Sequence, residues 1–333
     1  MKLLITGGAG FIGSNFVRYA LAKGDQVVVY DALTYAANPT TDELFSRNLL
    51  SVKDHALFSF IKGDVCDTQS MQQALQGIDA VVHFAAESHV DRSIENPQVF
   101  TETNVRGTET LLSSVKQVCP AARVLHVSTD EVYGSILQGF AKETDTFNPT
   151  SPYAQSKAEA DRIALEWSKS LNVVVTRSSN NFGPYQFPEK FIPLSIVNLL
   201  LGEKIRVYGT GQNKRDWISV EDNCDALYFV LHHGKTGEAY NVGGGNEYTN
   251  IAIAQEIARL LEKDQSSIEF VTDRPNHDFR YALSSDKLHS LGWQPQQPFS
   301  QALQQTVQWY KNNRDWWEPL RTKRYTSINV PKS

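Results

Sequence analysis

The stretch Lys2-Leu-Leu-Ile-Thr-Gly-Gly-Ala-Gly-Phe-Ile-Gly13 decides how this chain is read. An apolar strand-like run enters a glycine turn, and a helical pattern over 12–23 follows at once. Gly7, Gly10 and Gly13 permit a tight turn and let backbone amides and a helix N-terminus approach a pyrophosphate. Their spacing, Gly-x-x-Gly-x-x-Gly, departs from the commoner Gly-x-Gly-x-x-Gly, so context has to carry the reading. It does: a second strand, 26–30, ends in Asp31, which lies 18 residues after Gly13. That is close to the spacing of an acid that holds a ribose 2′-hydroxyl. A carboxylate there repels a 2′-phosphate and no Arg follows it directly, which favours NAD over NADP.

Working outward, strands are expected at 2–6, 26–30, 57–62, 79–84, 123–128 and 172–177, and helices near 12–23, 69–76, 98–118 and 153–170. Such alternation predicts an α/β protein with a Rossmann-type doubly wound parallel sheet. Residues 38–55 read as an extra helical insertion. Past residue 178 the pattern changes. Asn180-Asn-Phe-Gly-Pro-Tyr-Gln-Phe-Pro188 reads as loop and not as core, followed by a helix (191–202), a strand (205–208), a helix (220–233) and a strand (239–242). The expected division is a nucleotide-binding domain of 1–177 plus 217–243, and a smaller α/β substrate lobe of 178–216 plus 244–315. A weakly ordered polar tail is expected over 319–333.

Bulk properties narrow the class. The 333 residues are 41% hydrophobic and 21% charged, ordinary values for a globular protein with a large core. Net charge is −5, from 32 basic and 37 acidic residues, which gives no support to nucleic-acid binding. Cys66, Cys119 and Cys224 fit no metal-ligand spacing, so no metal and a reduced, cytoplasmic setting are expected. No signal-like segment opens the chain, and no apolar run is long enough to cross a membrane.

The chemistry is concentrated at Thr129-Asp130-Glu131. The apolar run 123–127 precedes it, so the three polar groups fall where a buried strand opens into a loop, the carboxyl end at which such sheets place their ligands. Tyr153 and Lys157 are four apart and share one helix face. An ammonium beside a phenol favours the phenolate, making Tyr153 a usable base. One oxygen base, one hydroxyl and two neighbouring carboxylates point to acid–base chemistry beyond simple oxidation. Read singly, Thr129-Asp130-Glu131 is also an N-cap followed by acidic residues in a first turn.

Further along the cofactor wall, Gly63-Asp64-Val65 ends the third strand, where Asp64 is placed either to meet the adenine amine or simply to close a turn. Phe84-Ala85-Ala86 ends the fourth, and its small residues let the chain run close to a dinucleotide. Thr103 and Asn104 fall on the next helix, where an Asn reads as solvated or capping.

Gly-Gly-Ala-Gly-Phe-Ile-Gly, Ala85-Ala-Glu-Ser-His-Val-Asp-Arg-Ser93, Ser128-Thr-Asp-Glu-Val-Tyr-Gly134 and Tyr-x-x-x-Lys together resemble the extended short-chain dehydrogenase/reductase family. Adding Ser179-Asn-Asn-Phe-Gly-Pro-Tyr185, Pro188-Glu-Lys-Phe-Ile-Pro193, Arg215-Asp-Trp217 and Asp273-Arg-Pro-Asn-His-Asp278 makes the chain similar to the sugar-nucleotide 4,6-dehydratases of that family, from residue 1 to about 317. The resemblance implies a cofactor site that also takes in Phe11, Ile12, Ala32, Leu33, Thr34, Ser88 and Asn181. It implies substrate contacts from Glu87, Ser88, Thr129, Asn180, Lys190, Phe191, Arg206, Val207, Tyr208, Arg215, Asn250, Asp273, Arg274 and His277, with Arg215 and Arg274 on the diphosphate. Taken alone, Arg215-Asp216 could also be a surface ion pair.

The implied reaction starts with Tyr153 removing the C4 hydroxyl proton as hydride passes to NAD⁺. Thr129 holds the oxygen and Lys157 the ribose. Glu131 then takes the acidified C5 proton, Asp130 protonates the departing C6 hydroxyl, and hydride returns to C6. The implied substrate is dTDP-glucose, with a UDP-linked sugar as the alternative. Ile205-Arg-Val-Tyr208 stands where the family commonly has Leu-Pro-(Ile/Leu)-Tyr, and Asn276 and Phe279 replace a usual Gly and Arg, so the choice of base stays open. A non-catalytic NAD-binding sensor is the reading from another class, and it gives no reason to keep Thr129, Asp130, Glu131, Tyr153 and Lys157 together. A homodimer is expected through the helices at 98–118 and 153–170, which resemble those that pair in this family.

Overall fold

The computed structural model describes residues 1–273 and 278–324, the last three as backbone only. The chain starts β1 (Lys2–Thr6), α1 (Phe11–Ala22), β2 (Gln26–Asp31), β3 (Phe58–Lys62), α2 (Thr68–Ala74) and β4 (Ala80–His83). Next come α3 (Val90–Glu95), α4 (Pro97–Phe100), a π-helical segment (Thr101–Arg106), α5 (Gly107–Val118), β5 (Arg123–Thr129), α6 (Pro152–Trp167) and β6 (Asn172–Ser178). The second half runs β7 (Asn180–Phe182), α7 (Phe191–Leu200), β8 (Ile205–Tyr208), β9 (Lys214–Ser219), α8 (Val220–His233), β10 (Ala239–Val242), β11 (Glu247–Thr249), α9 (Asn250–Leu260) and β12 (Ile268–Val271). It ends with α10 (Asp286–Ser290), α11 (Phe299–Asn312) and α12 (Arg314–Arg324).

Seven strands form one parallel sheet in the order β10-β6-β5-β4-β1-β2-β3, the expected Rossmann-type architecture. Alternate residues of its strands feed two cores. Leu3, Ile5, Val29, Val82 and Leu125 pack on one face with Phe16, Val17 and Ala20 of α1 and Leu227 and Val230 of α8. Leu4, Val28, Val81 and Val124 pack on the other with Met71 of α2 and Leu111 and Val115 of α5. Burial on both faces is why these strands read as continuous apolar runs.

A third core belongs to the second half: Phe182, Ile196, Trp217, Ile257, Leu303, Tyr310 and Trp317. Around it lie a three-stranded sheet, β11-β9-β7, and a two-stranded one, β12-β8. This corrects the loop reading at 180–182 only, because Asn180–Phe182 pairs with Trp217–Ser219 and Phe182 is fully buried against Trp217 and Phe299, while 183–188 is loop as expected. Glycine and proline follow Phe182 directly, and its partners lie far along the chain.

Two other expectations change. Residues 38–55 form a turn ending in a short 3₁₀ helix (Arg47–Val52), not a helical insertion. Asn38 is left-handed, and the Thr40 hydroxyl bonds both Asp42 and the Phe45 amide, local bonds that compete with a helix. At the other end, the chain stays helical through Pro319 to Arg324, anchored by buried Trp317 and Leu320, where the polar tail was expected to begin; the rest of that expected tail, 325–333, lies outside the described residues.

Truncating Phe182 to Ala removes the ring shared by β7, β9 and α11. The expected cost is about 3–5 kcal/mol, read as a lowered urea midpoint. An unchanged midpoint would show that β7 is not part of the third core.

Candidate active site

The strand order reverses between β1 and β4, and a crevice opens there at the carboxyl ends of the strands. Gly7 is left-handed, with φ +68°, and a Cβ on it would lie 2.5 Å from the Ala85 nitrogen. On Gly13 a Cβ would lie 2.3 Å from the Gly7 carbonyl oxygen. The glycine turn thus presses against both its own helix and the end of β4. Helix α1 has Gly10 as N-cap, with no side-chain cap and no acidic residue in its first turn, so its leading N–H groups are left for an anion.

One cleft gathers nearly all of the expected cofactor set. Its wall includes Gly7, Gly10, Phe11, Ile12, Gly13, Asp31, Ala32, Thr34, Asp64, Val65, Phe84, Ala85, Ala86, Ser88, Thr103, Tyr153 and Lys157. Tyr30, Gln186, Phe187 and Glu189 also line it and were not among the expected cofactor residues. Leu33 is absent from the wall. It is buried, left-handed, and donates its N–H to Asp31 Oδ1 at 2.8 Å. Asp31 Oδ2 accepts from the Ala9 amide at 2.9 Å, so one carboxylate ties the glycine turn to the end of β2. Burial raises its pKa and these two backbone bonds oppose the rise. Asp64 accepts from the Cys66 amide at 2.9 Å and caps its own turn. Asn181 also lies outside the wall, on β7, with its Nδ2 on the Ser179 carbonyl and its Oδ1 buried without a hydrogen bond. A glycine turn against an uncapped helix start, with a carboxylate at the end of β2, fits a dinucleotide.

Thr129 ends β5 and caps the short turn Asp130–Tyr133, its hydroxyl accepting from the Glu131 amide at 3.3 Å and donating to Asp130 Oδ1 at 3.2 Å. The capping and chemical readings of Thr129-Asp130-Glu131 are therefore both embodied in one turn. Asp130 is buried, and its Oδ2 has no hydrogen-bond partner. Burial, then Glu131, then Asp216 push its pKa well above the carboxylate range, against Arg215 and Thr129. Burial of this kind favours the protonated carboxyl, a form that can donate.

Ser151 caps α6 through the Ala154 amide at 3.1 Å, and Pro152 opens it, which places Tyr153 on the first turn and Lys157 one turn on. Both are buried. The Lys157 ammonium donates to the Val127 carbonyl at 2.7 Å, and burial lowers its pKa to about 8 while Asp161 opposes. Tyr153 overturns the expectation of a depressed phenol: burial, Glu131 and Asp130 raise its pKa, and a hydrogen bond with Thr129 opposes them. Burial is the larger cause and the acid pair adds to it, which the i, i+4 spacing to Lys157 does not reveal.

Asn104, read as solvated or capping, is instead fully buried. The π-helical segment turns it inward, where Oδ1 accepts from the Glu87 amide at 2.8 Å and Nδ2 donates to the Glu87 carbonyl at 3.0 Å and to Ser156 Oγ at 2.8 Å. It clamps the Glu87–Ser88 loop to α6. No sequence signal marks a π-turn.

The expected substrate residues are only partly gathered. Glu87, Ser88 and Lys190 line the cleft, and Lys190 Nζ donates to the Ser88 carbonyl at 2.8 Å. Asn180 leaves its Oδ1 buried without a hydrogen bond, and Phe191 starts α7. Arg215 and Asp216 are both buried, so the surface-ion-pair reading fails. Arg215 donates to the Asp278 carbonyl at 2.9 Å and lies 4.2 Å over the Tyr281 ring. Tyr281 is buried, and Glu131 is among the groups acting on its hydroxyl; the sequence reading did not name it. Val207 is fully buried in the third core and Arg206 is exposed, paired with Glu269 at 3.1 Å, and neither is part of the cleft wall. Tyr208 ends β8, Asn250 starts α9, and Asp273 is exposed after β12. Arg274 and His277 lie outside the described residues. Among those residues there is no cluster suited to a metal ion, and the three cysteines are free.

A parallel sheet with a glycine-turn dinucleotide cleft and a Tyr-Lys helix beside it defines the extended short-chain dehydrogenase/reductase class. The chain belongs to the family described as GDP-mannose 4,6 dehydratase, whose model matches residues 4–306. It is 45% identical to a dTDP-glucose 4,6-dehydratase of Streptomyces niveus, over 97% of this chain and 96% of that protein. The solved structure of DesIV from Streptomyces venezuelae, a dTDP-glucose 4,6-dehydratase with NAD and TYD bound, is similar with a TM-score of 0.91 and 48% identity, covering 96% of this chain and 100% of that one. A UDP-glucose 4-epimerase of Thermus thermophilus with NAD shares the fold at a TM-score of 0.84 and 28% identity, over 94% and 100% of the two chains.

Asp31→Ala removes the carboxylate at the end of β2 and frees the Ala9 amide. NAD affinity should fall about 10- to 100-fold, and discrimination against NADP should narrow. Fluorescence titration with both cofactors checks this, and unchanged discrimination would place the ribose contact elsewhere.

Proposed function

We propose that the chain converts dTDP-glucose to dTDP-4-keto-6-deoxyglucose and water as an NAD-dependent 4,6-dehydratase. The observation that carries this is the turn after β5, where a buried Asp130, its pKa raised by burial, stands beside Glu131 and next to Tyr153. Simple oxidation or epimerisation needs no such acid pair. The full-length likeness to dTDP-glucose 4,6-dehydratases supports the same reading.

Gly7, Gly10, Gly13 and Asp31 would hold NAD, which when bound accepts hydride from C4 and returns it to C6. Tyr153 takes the C4 hydroxyl proton while Thr129 holds the same oxygen. Since its surroundings favour the phenol, Tyr153 needs the positive charge of Lys157 nearby, and the protonation of Lys157 becomes decisive. Glu131 removes the C5 proton made acidic by the C4 ketone. Asp130 gives its proton to the C6 hydroxyl, water departs, and Glu131 returns a proton to C5. Two carboxylates with separated protonation states suit these paired roles.

Residues 178–216 plus 244–315 are proposed as the sugar-nucleotide lobe, with Arg215 as a cation for the diphosphate, and 1–177 plus 217–243 as the NAD-binding part. A homodimer through the helical stretches 98–118 and 153–170 is proposed on the family resemblance, and light scattering at micromolar concentration tests it. Among the described residues no helix is long and apolar enough to cross a membrane, and a cytoplasmic setting is proposed.

Incubation with a panel of dTDP- and UDP-sugars should give a 4-keto product from dTDP-glucose, and turnover of UDP-sugars alone would overturn the assignment. With dTDP-glucose, Glu131→Gln should still oxidise C4 and accumulate bound NADH, while product release and solvent deuterium exchange at C5 fall by at least about 10²-fold. Asp130→Asn should slow C6–O cleavage instead. A substrate carrying fluoride at C6 needs less protonation and should partly rescue Asp130→Asn but not Glu131→Gln. Equal rescue of both would mean that the roles are shared or reversed.

A further inference from the structure

Arg177 and Asp161 form a buried ion pair that none of the roles above uses. Asp161 is 0% and Arg177 2% exposed. The contact is bidentate, with Arg177 Nε on Asp161 Oδ2 at 2.9 Å and a terminal nitrogen on Oδ1 at 3.0 Å. The other terminal nitrogen donates to the Tyr133 hydroxyl at 2.7 Å and to the Glu143 carbonyl at 2.8 Å, and the Tyr133 hydroxyl donates onward to Asn241 at 2.8 Å. The guanidinium lies 4.6 Å over the Phe147 ring. Buried pairs seldom outperform well-packed apolar residues in stability, so their retention calls for another role.

Position in the fold supplies that role. Asp161 lies on α6 one turn beyond Lys157, on the same face. Tyr133 closes the short turn that begins at Asp130. The pair therefore touches both halves of the candidate site. We propose that the Asp161–Arg177 pair is a positioning device of the reaction: it keeps Lys157 in its ammonium form and ties the turn bearing Asp130 and Glu131 to the helix bearing Tyr153.

The groups around Lys157 agree. His83 of β4 and His126 of β5 are buried and neutral: burial comes first, and the Lys157 charge adds to it, with His83 brought down to about 3. Arg177 of β6 is a cation, and burial holds Tyr153 of α6 toward its neutral form until Lys157 offsets it. The carboxylate that opposes the desolvation of Lys157 is Asp161. Sign follows directly: Asp161 raises the Lys157 pKa, so removing its charge lowers that pKa further, and the ammonium is lost at lower pH.

The inference rests on the dehydration proposed above. Its test is the pH profile of C4 oxidation of dTDP-glucose, followed as bound NADH. The unchanged protein should show an alkaline limb near pH 8, where Lys157 deprotonates. In Asp161→Asn that limb should move to lower pH by about one unit or more. Asp161→Asn combined with Arg177→Met removes the orphaned cation and protects folding, and its limb should be shifted as well. Tyr133→Phe leaves the charges alone, so its limb should stay in place while product release slows relative to C4 oxidation. NAD titration confirms that each variant is folded.

A limb unmoved in either Asp161 variant, or no alkaline limb in the unchanged protein, overturns the charge role. A Tyr133→Phe protein indistinguishable from the unchanged one overturns the tie to the turn. An unchanged protein that leaves dTDP-glucose untouched defeats the proposed function instead, so the two failures are distinguishable.

Discussion

Everything in the site hangs on how closely the glycine turn approaches the end of β4. A side chain at Gly7 would meet the Ala85 backbone at 2.5 Å, a separation that no Cβ tolerates. Because the turn is bare, β1 and β4 run side by side to the point where the strand order reverses, and the crevice opens there. Asp31 reinforces the contact by holding the Ala9 amide. The Glu87 loop continues from β4, and Asn104 fixes it to α6. The nucleotide wall and the Tyr-Lys helix are thereby held in one frame.

Within that frame, burial decides the chemistry of each ionisable group. Asp130 and Glu131 are neighbours in sequence, yet Asp130 is buried with an unpaired oxygen while Glu131 is only partly covered. The difference separates a candidate proton donor from a candidate base although both groups are carboxyls. Lys157 and Tyr153 are both desolvated, which disfavours the charged form of each. A charged Lys157 therefore has to be supported from elsewhere in the core. Asp161, itself held by Arg177, stands where that support is needed.

Legibility followed whether the determining contacts were local. The glycine turn, Asp31, the Thr-Asp-Glu turn and the Tyr-Lys pair were readable because each depends on a few consecutive residues or one helical turn. The parallel sheet was readable for a similar reason, since strands buried on both faces show as unbroken apolar runs. Phe182 was missed because its partners, Trp217 and Phe299, are distant in sequence. Asn104 was misread because a π-turn rotates it inward. Val207 was assigned to substrate on resemblance, and its side chain is also part of the third core, whose partners are distant in sequence.

The amino-acid sequence by itself determined the class of fold, the place of the cofactor cleft and the candidates for the reacting groups, since periodicity, glycine spacing and residue chemistry are properties of short segments. Tertiary structure alone decided which way each group's proton equilibrium leans. Burial and the field of groups on other strands set those equilibria: Asp216 acting on Asp130, Glu131 on Tyr153, and Asp161 on Lys157. Asp161 apart, one helical turn from Lys157, no spacing along the chain encodes that burial or field; it comes into being when the sheet closes.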